Sequence, residues 1–161
     1  MRYSKPHGKT SRCRHSTQEV AIEEVEKAHG GEAEDARGAR ILALMILGRR
    51  NRKQYLKVRD AARALVHSRV AHFNRHYGFK IKKIFIKNHK SRWGSCSEKG
   101  NLNFNYKLLY LPSAISDYII VHELCHLAEF NHSPRFWSLV VRTIPNYEEL
   151  KRELRRLERA S

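Results

Sequence analysis

The sequence predicts an α+β fold in which a small β hairpin packs on one apolar helix and further helices flank the pair. Three observations carry this. Apolar residues recur at helical spacing through most of the chain, whereas strand-like alternation is confined to about residues 80–105. The most apolar helical segment, which includes Ile119, Ile120, Val121, Leu124, Leu127 and Ala128, carries the run His122-Glu123-Leu124-Cys125-His126. A helix apolar nearly all round is a buried one.

Met1–Thr17 is polar and basic, contains Pro6 and Gly8, and lacks periodicity, so it reads as a flexible arm. Val20, Ala21, Ile22 and Val25 give a helix over Gln18–His29, stopped by Gly30-Gly31; a second short helix runs over Arg37–Leu47. A longer helix spans Arg52–Tyr77, with Tyr55, Val58, Ala62, Leu65, Val66, Val70 and Phe73 as its apolar set and Gly78 as its stop. Its other face carries Arg59, Arg63, Arg69 and Arg75. With His67, His72 and His76 this is a candidate nucleic-acid or substrate face, although solvated surface is the simpler reading of the three histidines. Lys80–Lys87 reads as a strand. Arg92–Ser97 and Asn101–Asn105 read as a hairpin joined by Glu98-Lys99-Gly100, with Leu102 and Phe104 inward and the three asparagines outward. An exposed edge of this hairpin would suit an extended peptide. Pro112 starts the apolar helix, with Ser113 and Asp117 near its positive end. Ser133-Pro134 starts another helix through about Thr143, and Tyr147–Ala160 closes the chain as an amphipathic helix. Residues 1–53 thus form a basic arm and short helical extension, and residues 54–161 the main domain.

The chemistry concentrates at His122. Residues four apart on a helix lie one above the other, so His122 and His126 aim two imidazoles at one point, the geometry a zinc ion requires. Glu123 is placed to hold a water at the metal rather than the metal itself, the general-base role in metal-assisted hydrolysis. Two residues compete for the third ligand position. Glu129 falls on the right side of the helix but one turn further along. His132 follows Asn131, which tolerates a helix-ending conformation, and precedes Ser133-Pro134, so a turn there swings it back. This favours His132 as ligand with Glu129 in support, and leaves Glu129 as the rival. Cys125 points away from the ligand face and reads as a small buried residue.

The formal net charge is +16, distributed as +6 over residues 1–60, +10 over 61–110 and zero over 111–161. A positive face therefore flanks a neutral catalytic half, and nucleic acid bound through the basic amino-terminal half is a candidate partner. No apolar stretch approaches the roughly 18 residues of a membrane span. No secretory leader is evident, and three cysteines (Cys13, Cys96, Cys125) suit a reducing cytoplasm better than a disulfide scaffold.

The runs Arg92-Trp93-Gly94-Ser95-Cys96-Ser97 and Gly100-Asn101-Leu102-Asn103 are followed by Asp117-Tyr118, the His122–His126 motif, Asn131-His132-Ser133 and Phe136-Trp137. In this order, over roughly Tyr55 to Leu157, the sequence resembles the YgjP-like metallopeptidases, relatives of the SprT and WLM groups. The resemblance implies a zincin-like metallopeptidase domain acting on proteins or peptides, with one zinc ion held by His122, His126 and His132 and Glu123 as catalytic base. It departs from longer members in having helical segments and a basic arm in place of an amino-terminal β-rich region. The ligand spacing also matches metzincins, but Glu129 stands where their turn glycine belongs. Arg92, Trp93 and Asn103 are candidate substrate-binding residues; the plainer reading of the first two is a brace between hairpin and helix. The rival function is a nucleic-acid-binding protein with a structural zinc, and a hybrid is a protease drawn to nucleic-acid-associated proteins.

Overall fold

A helix of seven turns packs against a three-stranded sheet in this computed structural model, which describes residues 52–159. The arm expected over residues 1–17 and the helices expected over 18–29 and 37–47 lie outside the described residues, as does Cys13.

The long helix, α1 (Arg52–Tyr77), buries Ala62, Val66, Val70 and Phe73, one stripe at spacings of four, four and three. Tyr55, Val58 and Leu65 pack against the same core at its margin. Gly78 ends the helix at φ 67°, with its N–H donating to the Asn74 carbonyl at 2.7 Å, a left-handed stop that glycine adopts without steric cost. Both ends of α1 are tied down by tyrosines. Tyr55 donates to the Ile86 carbonyl at 3.1 Å, and Tyr77 to the Leu139 carbonyl at 2.9 Å.

The sheet comprises β1 (Lys83–Lys87), β2 (Gly94–Cys96) and β3 (Asn101–Asn105), in the order β1-β3-β2. β1 runs parallel to β3, with Ile84 opposite Leu102 and Ile86 opposite Phe104; β2 is antiparallel, with Gly94 opposite Phe104. The hairpin is present, but its second arm is the central strand, so of its two arms only β2 lies at an edge, and β1 forms the other edge of the sheet. Leu102 and Phe104 are fully buried, as the alternation required. Asn105 is a correction. Rather than facing solvent it is buried, and its side-chain amide donates to the carbonyls of His89 and Arg92 at 3.0 and 3.1 Å while its oxygen accepts from the Lys107 N–H. A buried amide that satisfies three backbone groups is stable where an unpaired one would not be. Its effect is to fix the 89–93 segment.

A short 3-10 turn, Tyr106–Tyr110, leads into α2 (Ser113–Cys125), then α3 (Pro134–Val141) and α4 (Tyr147–Arg159). α2 is the centre of the molecule: nine of its residues are buried, and it packs against α1, α3, α4 and the sheet. The last helix buries Leu157, with Tyr147, Leu150 and Leu154 along the same side. Ser133 caps α3 by accepting from the Phe136 N–H, with Pro134 in the first turn. The amino end of α2 differs from expectation. Pro112 is its cap residue and no side chain caps it. Asp117 instead accepts from Arg69 through both oxygens, at 2.7 and 2.6 Å, bridging α1 and α2. One arginine of the expected nucleic-acid face is therefore engaged inside the fold.

Asp117 is 17% exposed and Arg69 33%, so removing the arginine strands a mostly buried carboxylate. After discounting for solvent screening, Arg69→Ala costs about 2 kcal/mol, a fall in Tm of roughly 5–10 °C. The charge-free pair Arg69→Met with Asp117→Leu recovers most of that loss. Thermal melts of the three proteins check both statements.

Candidate metal centre

α2 ends at Cys125, directly between the two histidines of its motif. Past it the chain tightens: the N–H groups of Leu127 and Ala128 donate three residues back, to the carbonyls of Leu124 and Cys125. Glu129 therefore does not continue a straight helix, and its carboxylate is not among the groups that, in the described residues, lie close enough to share a metal ion with the two histidines. His132 returns to the site and places its Nε2 3.0 Å from that of His122, while Nε2 of His126 lies 3.2 Å from His122. Among the described residues, His122, His126 and His132 form the group of side chains able to share one metal ion. Glu129 takes part through its backbone: its carbonyl lies 3.0 Å from His126 Nδ1.

The proton count shows why these three nitrogens fit a cation. His126 uses Nδ1–H toward the Glu129 carbonyl, so its Nε2 presents a lone pair. His122 Nε2 faces two neighbouring Nε2 atoms and can donate to one at most. His122 Nδ1 is buried without a partner. Burial holds the His122 pKa down at about 3, with His126 and His132 adding repulsion, and lowers that of His126 as well. Neutral imidazoles with converging lone pairs are the state that metal ligation needs. Metal–nitrogen bonds of about 2.0–2.1 Å place tetrahedral ligand nitrogens about 3.3 Å apart, close to the separations found.

Packing holds the rings. Phe136, fully buried, has its ring centroid 4.9, 4.6 and 4.8 Å from those of His122, His126 and His132. Trp137 stacks on His132 at 5.6 Å and on Tyr147 at 4.9 Å, and Lys151 caps its ring at 4.2 Å. Cys125 lies in the core away from the metal group, as expected.

Glu123 is 7% exposed, and burial pushes its carboxyl up to about 8, opposed by the charge of Arg92. Its neighbour is the backbone of β2. A Cβ on Gly94 would fall 2.5 Å from Glu123 Cγ and 2.6 Å from Oε1, so the absent side chain is the space the carboxylate occupies. Arg92 and Trp93 line a cleft beside this point, and Trp93 also donates from its indole N–H to Glu158 at 2.9 Å. Wall and brace are thus the same residue. Asn103 does not join them. It pairs with Ser95 on the neighbouring strand and its amide reaches the Ser95 hydroxyl at 3.2 Å, on the sheet face opposite Gly94.

Four contributors to the site escaped the sequence reading: Gly94, the Phe136 ring, the Glu129 carbonyl and Lys151. Only Gly94 left a signal, because glycine inside a strand marks a close approach.

Residues 10–157 match the family described as YgjP-like, metallopeptidase domain. The chain belongs to this family. It is also similar to the crystal structure of the metallopeptidase zymogen of Pyrococcus abyssi abylysin, with a TM-score of 0.51 and 25% identity, covering 55% of this chain and 90% of that one. No curated protein matches it. A YgjP-like metallopeptidase domain takes proteins or peptides as substrates and uses a metal ion, and the three converging imidazoles are a zinc-type donor set. The α+β architecture expected from sequence is the one found.

Since the site has no room for a methyl group, Gly94→Ala displaces Glu123. The expected result is a peptidase rate lowered by about a hundredfold with metal content unchanged, because the substitution shifts a carboxylate beside the site without touching the three imidazoles. Equal rates for variant and parent, with zinc content measured in both, would remove Gly94 from any positioning role.

Proposed function

We propose that this chain is a zinc-dependent peptidase in which His122, His126 and His132 hold one zinc ion and Glu123 is the general base. The observation that carries the reading is the arrangement of exposure: His132 is exposed, His122 and His126 are half-buried and Glu123 is buried. Three protein ligands would leave a four-coordinate zinc one position for water or substrate, and the exposure of His132 gives solvent access to the group. When bound, zinc supplies a Lewis acid that activates water near neutral pH and polarises the scissile carbonyl.

The remaining steps belong to the chain's own residues. Glu123 accepts a proton from the attacking water and later delivers it to the leaving amine. Gly94 leaves its carboxylate the position to do so, and Arg92 favours its ionised form. Arg92 is also the nearest candidate to steady the substrate carbonyl, and Trp93 forms the wall of the cleft. Residues 54–161 would be the peptidase domain proper and residues 1–53 an accessory extension. Cys96 and Cys125 are free thiols, which supports a reducing, cytoplasmic setting, and no helix of the described residues is long and apolar enough to cross a membrane. The net charge of +16 supports nucleic acid as a docking partner, though not as the reacting substrate.

Replacing Glu123 with Gln keeps the site's shape and removes the base. Zinc content should stay at one per chain while peptide hydrolysis falls by at least about a thousandfold; a variant that cleaves as fast as the parent would end the assignment. The third ligand is tested separately. His132→Ala loses zinc, whereas Glu129→Ala, which keeps the backbone carbonyl, retains it. Metal analysis after dialysis distinguishes the two, and the opposite pattern would restore Glu129 as ligand.

A further inference from the structure

The three imidazoles are not held by the same means. His126 is anchored by a hydrogen bond between its Nδ1 and the Glu129 carbonyl, at 3.0 Å, and His122 stands on α2. His132 has neither support. It is exposed, it lies between α2 and α3, and among the described residues its hydrogen-bonding neighbour is His122 Nε2, at 3.0 Å. That contact joins two ligand nitrogens, so it is given up once both turn to a cation. Metal-bound histidines are ordinarily steadied through their second ring nitrogen, and among the described residues His132 has no such bond.

What touches its ring instead is aromatic. Phe136 meets His132 at 4.8 Å, edge to face, but it meets the other two rings at similar distances. Trp137 is selective. It lies 5.6 Å from His132 with the planes 26° apart, whereas its approach to His122 is longer, at 6.0 Å, and more oblique, at 56°.

Trp137 is itself held from outside the metal group. Tyr147 stacks on it at 4.9 Å with the planes 18° apart, and the Lys151 ammonium lies 4.2 Å from the ring centroid. Tyr147 and Lys151 both belong to α4, four residues apart, so they share one face of that helix. The contacts thus run from α4 through Trp137 to the one ligand outside α2 and its cap.

Resting on the zinc reading above, we propose that Trp137 is the positioning residue of the third ligand, and that Tyr147 and Lys151 set, through it, how firmly His132 holds the metal. A stacked indole restricts in advance the rotation that an exposed imidazole otherwise loses on ligation. The cation over the indole adds an attraction that keeps the indole in place. A residue that only filled space would stabilise the fold whether or not His132 were present; a positioning residue acts only while there is a ligand to position.

The experiment therefore measures zinc affinity rather than hydrolysis, in the full chain, by competition with a chromophoric chelator over zinc concentrations wide enough to reach the weakened His132→Ala site. Trp137→Ala is expected to weaken zinc binding by about tenfold, and Trp137→Phe, which keeps a ring for stacking, by less than about threefold. In the His132→Ala chain, adding Trp137→Ala is expected to cost less than about twofold, because the group it positions is gone. Tyr147→Leu weakens zinc by about threefold in the parent and leaves the Trp137→Ala chain unchanged. Should Trp137→Ala fail to fold, Trp137→Leu, apolar and without a ring, takes its place in both chains. Equal losses from the Trp137 substitution with and without His132 would mark a structural role and overturn the inference, as would an unchanged affinity; either result leaves the zinc reading standing. A Tyr147→Leu loss that persists without Trp137 would remove α4 from the device. A His132→Ala chain that binds zinc as tightly as the parent would refute the ligand assignment itself, and the inference with it.

Discussion

The structure depends on holding three imidazoles together, with His122 Nε2 3.2 Å from that of His126 and 3.0 Å from that of His132. Without a cation that arrangement is unfavourable: His122 Nε2 cannot satisfy both neighbours, and His122 Nδ1 is already orphaned. The surrounding structure keeps the rings from separating. α2 stops at Cys125 so that the chain can turn, the Glu129 carbonyl fixes the His126 tautomer, and Phe136 is wedged against all three rings. Ser133 and Pro134 then start α3 at the point that brings Phe136 into place.

A second tension is set against the first. Glu123 lies on a helix with nine buried residues, where desolvation favours its neutral form, whereas the proposed general-base role requires it ionised. Two features of the 89–96 segment bear on this. Arg92 brings a compensating charge, and Gly94 leaves the carboxylate space that any other residue would occupy. Both depend on Asn105, whose buried amide holds the segment through the carbonyls of His89 and Arg92. The strand sequence Asn101–Asn105 thus contributes to the site through its last residue rather than through Asn103, whose amide turns to Ser95.

How much of this was legible before any coordinates follows from the range of each interaction. The span of α1, the cap of α3 and the pairing of His122 with His126 are local, encoded by periodicity and by single residues such as Gly78 and Ser133. The return of His132 was also readable, because Asn131 and Ser133-Pro134 punctuate the turn that produces it. The parallel pairing of β1 with β3 was not. It joins segments whose connection carries the hairpin's other arm, and no local pattern distinguishes it from an antiparallel partner. The burial of Asn105 was hidden for a related reason. Alternation assigned it to the polar face, and only the crossing of residues 89–92 over that end of the strand makes an amide there favourable.

Charge gives the clearest case of a correct count with the wrong placement. Residues 111–161 sum to zero, which suggests a neutral catalytic half. Yet Asp117 is taken by Arg69, Glu153 by Arg156, Glu123 is buried, and Glu148 and Glu158 each accept from an aromatic side chain. The opposing Lys151, Arg152 and Arg155 lie together on one helix beside Trp137, and Lys90, Arg92 and Lys107 come from the basic segment upstream to the cleft lined by Trp93. A zero sum in sequence thus becomes an uneven distribution in the fold, because Asp117 and Glu153 are paired and Glu123 is buried while Lys151, Arg152 and Arg155 gather beside Trp137 with Glu148 among them. Fields from such a distribution act through position and not through net charge, being focused by low-dielectric walls such as the rings of Trp93 and Trp137. The +16 of the whole chain therefore says less about the surroundings of the metal group than does the placing of single charges, such as Arg92 on the segment held by Asn105 and Lys151 over the ring of Trp137.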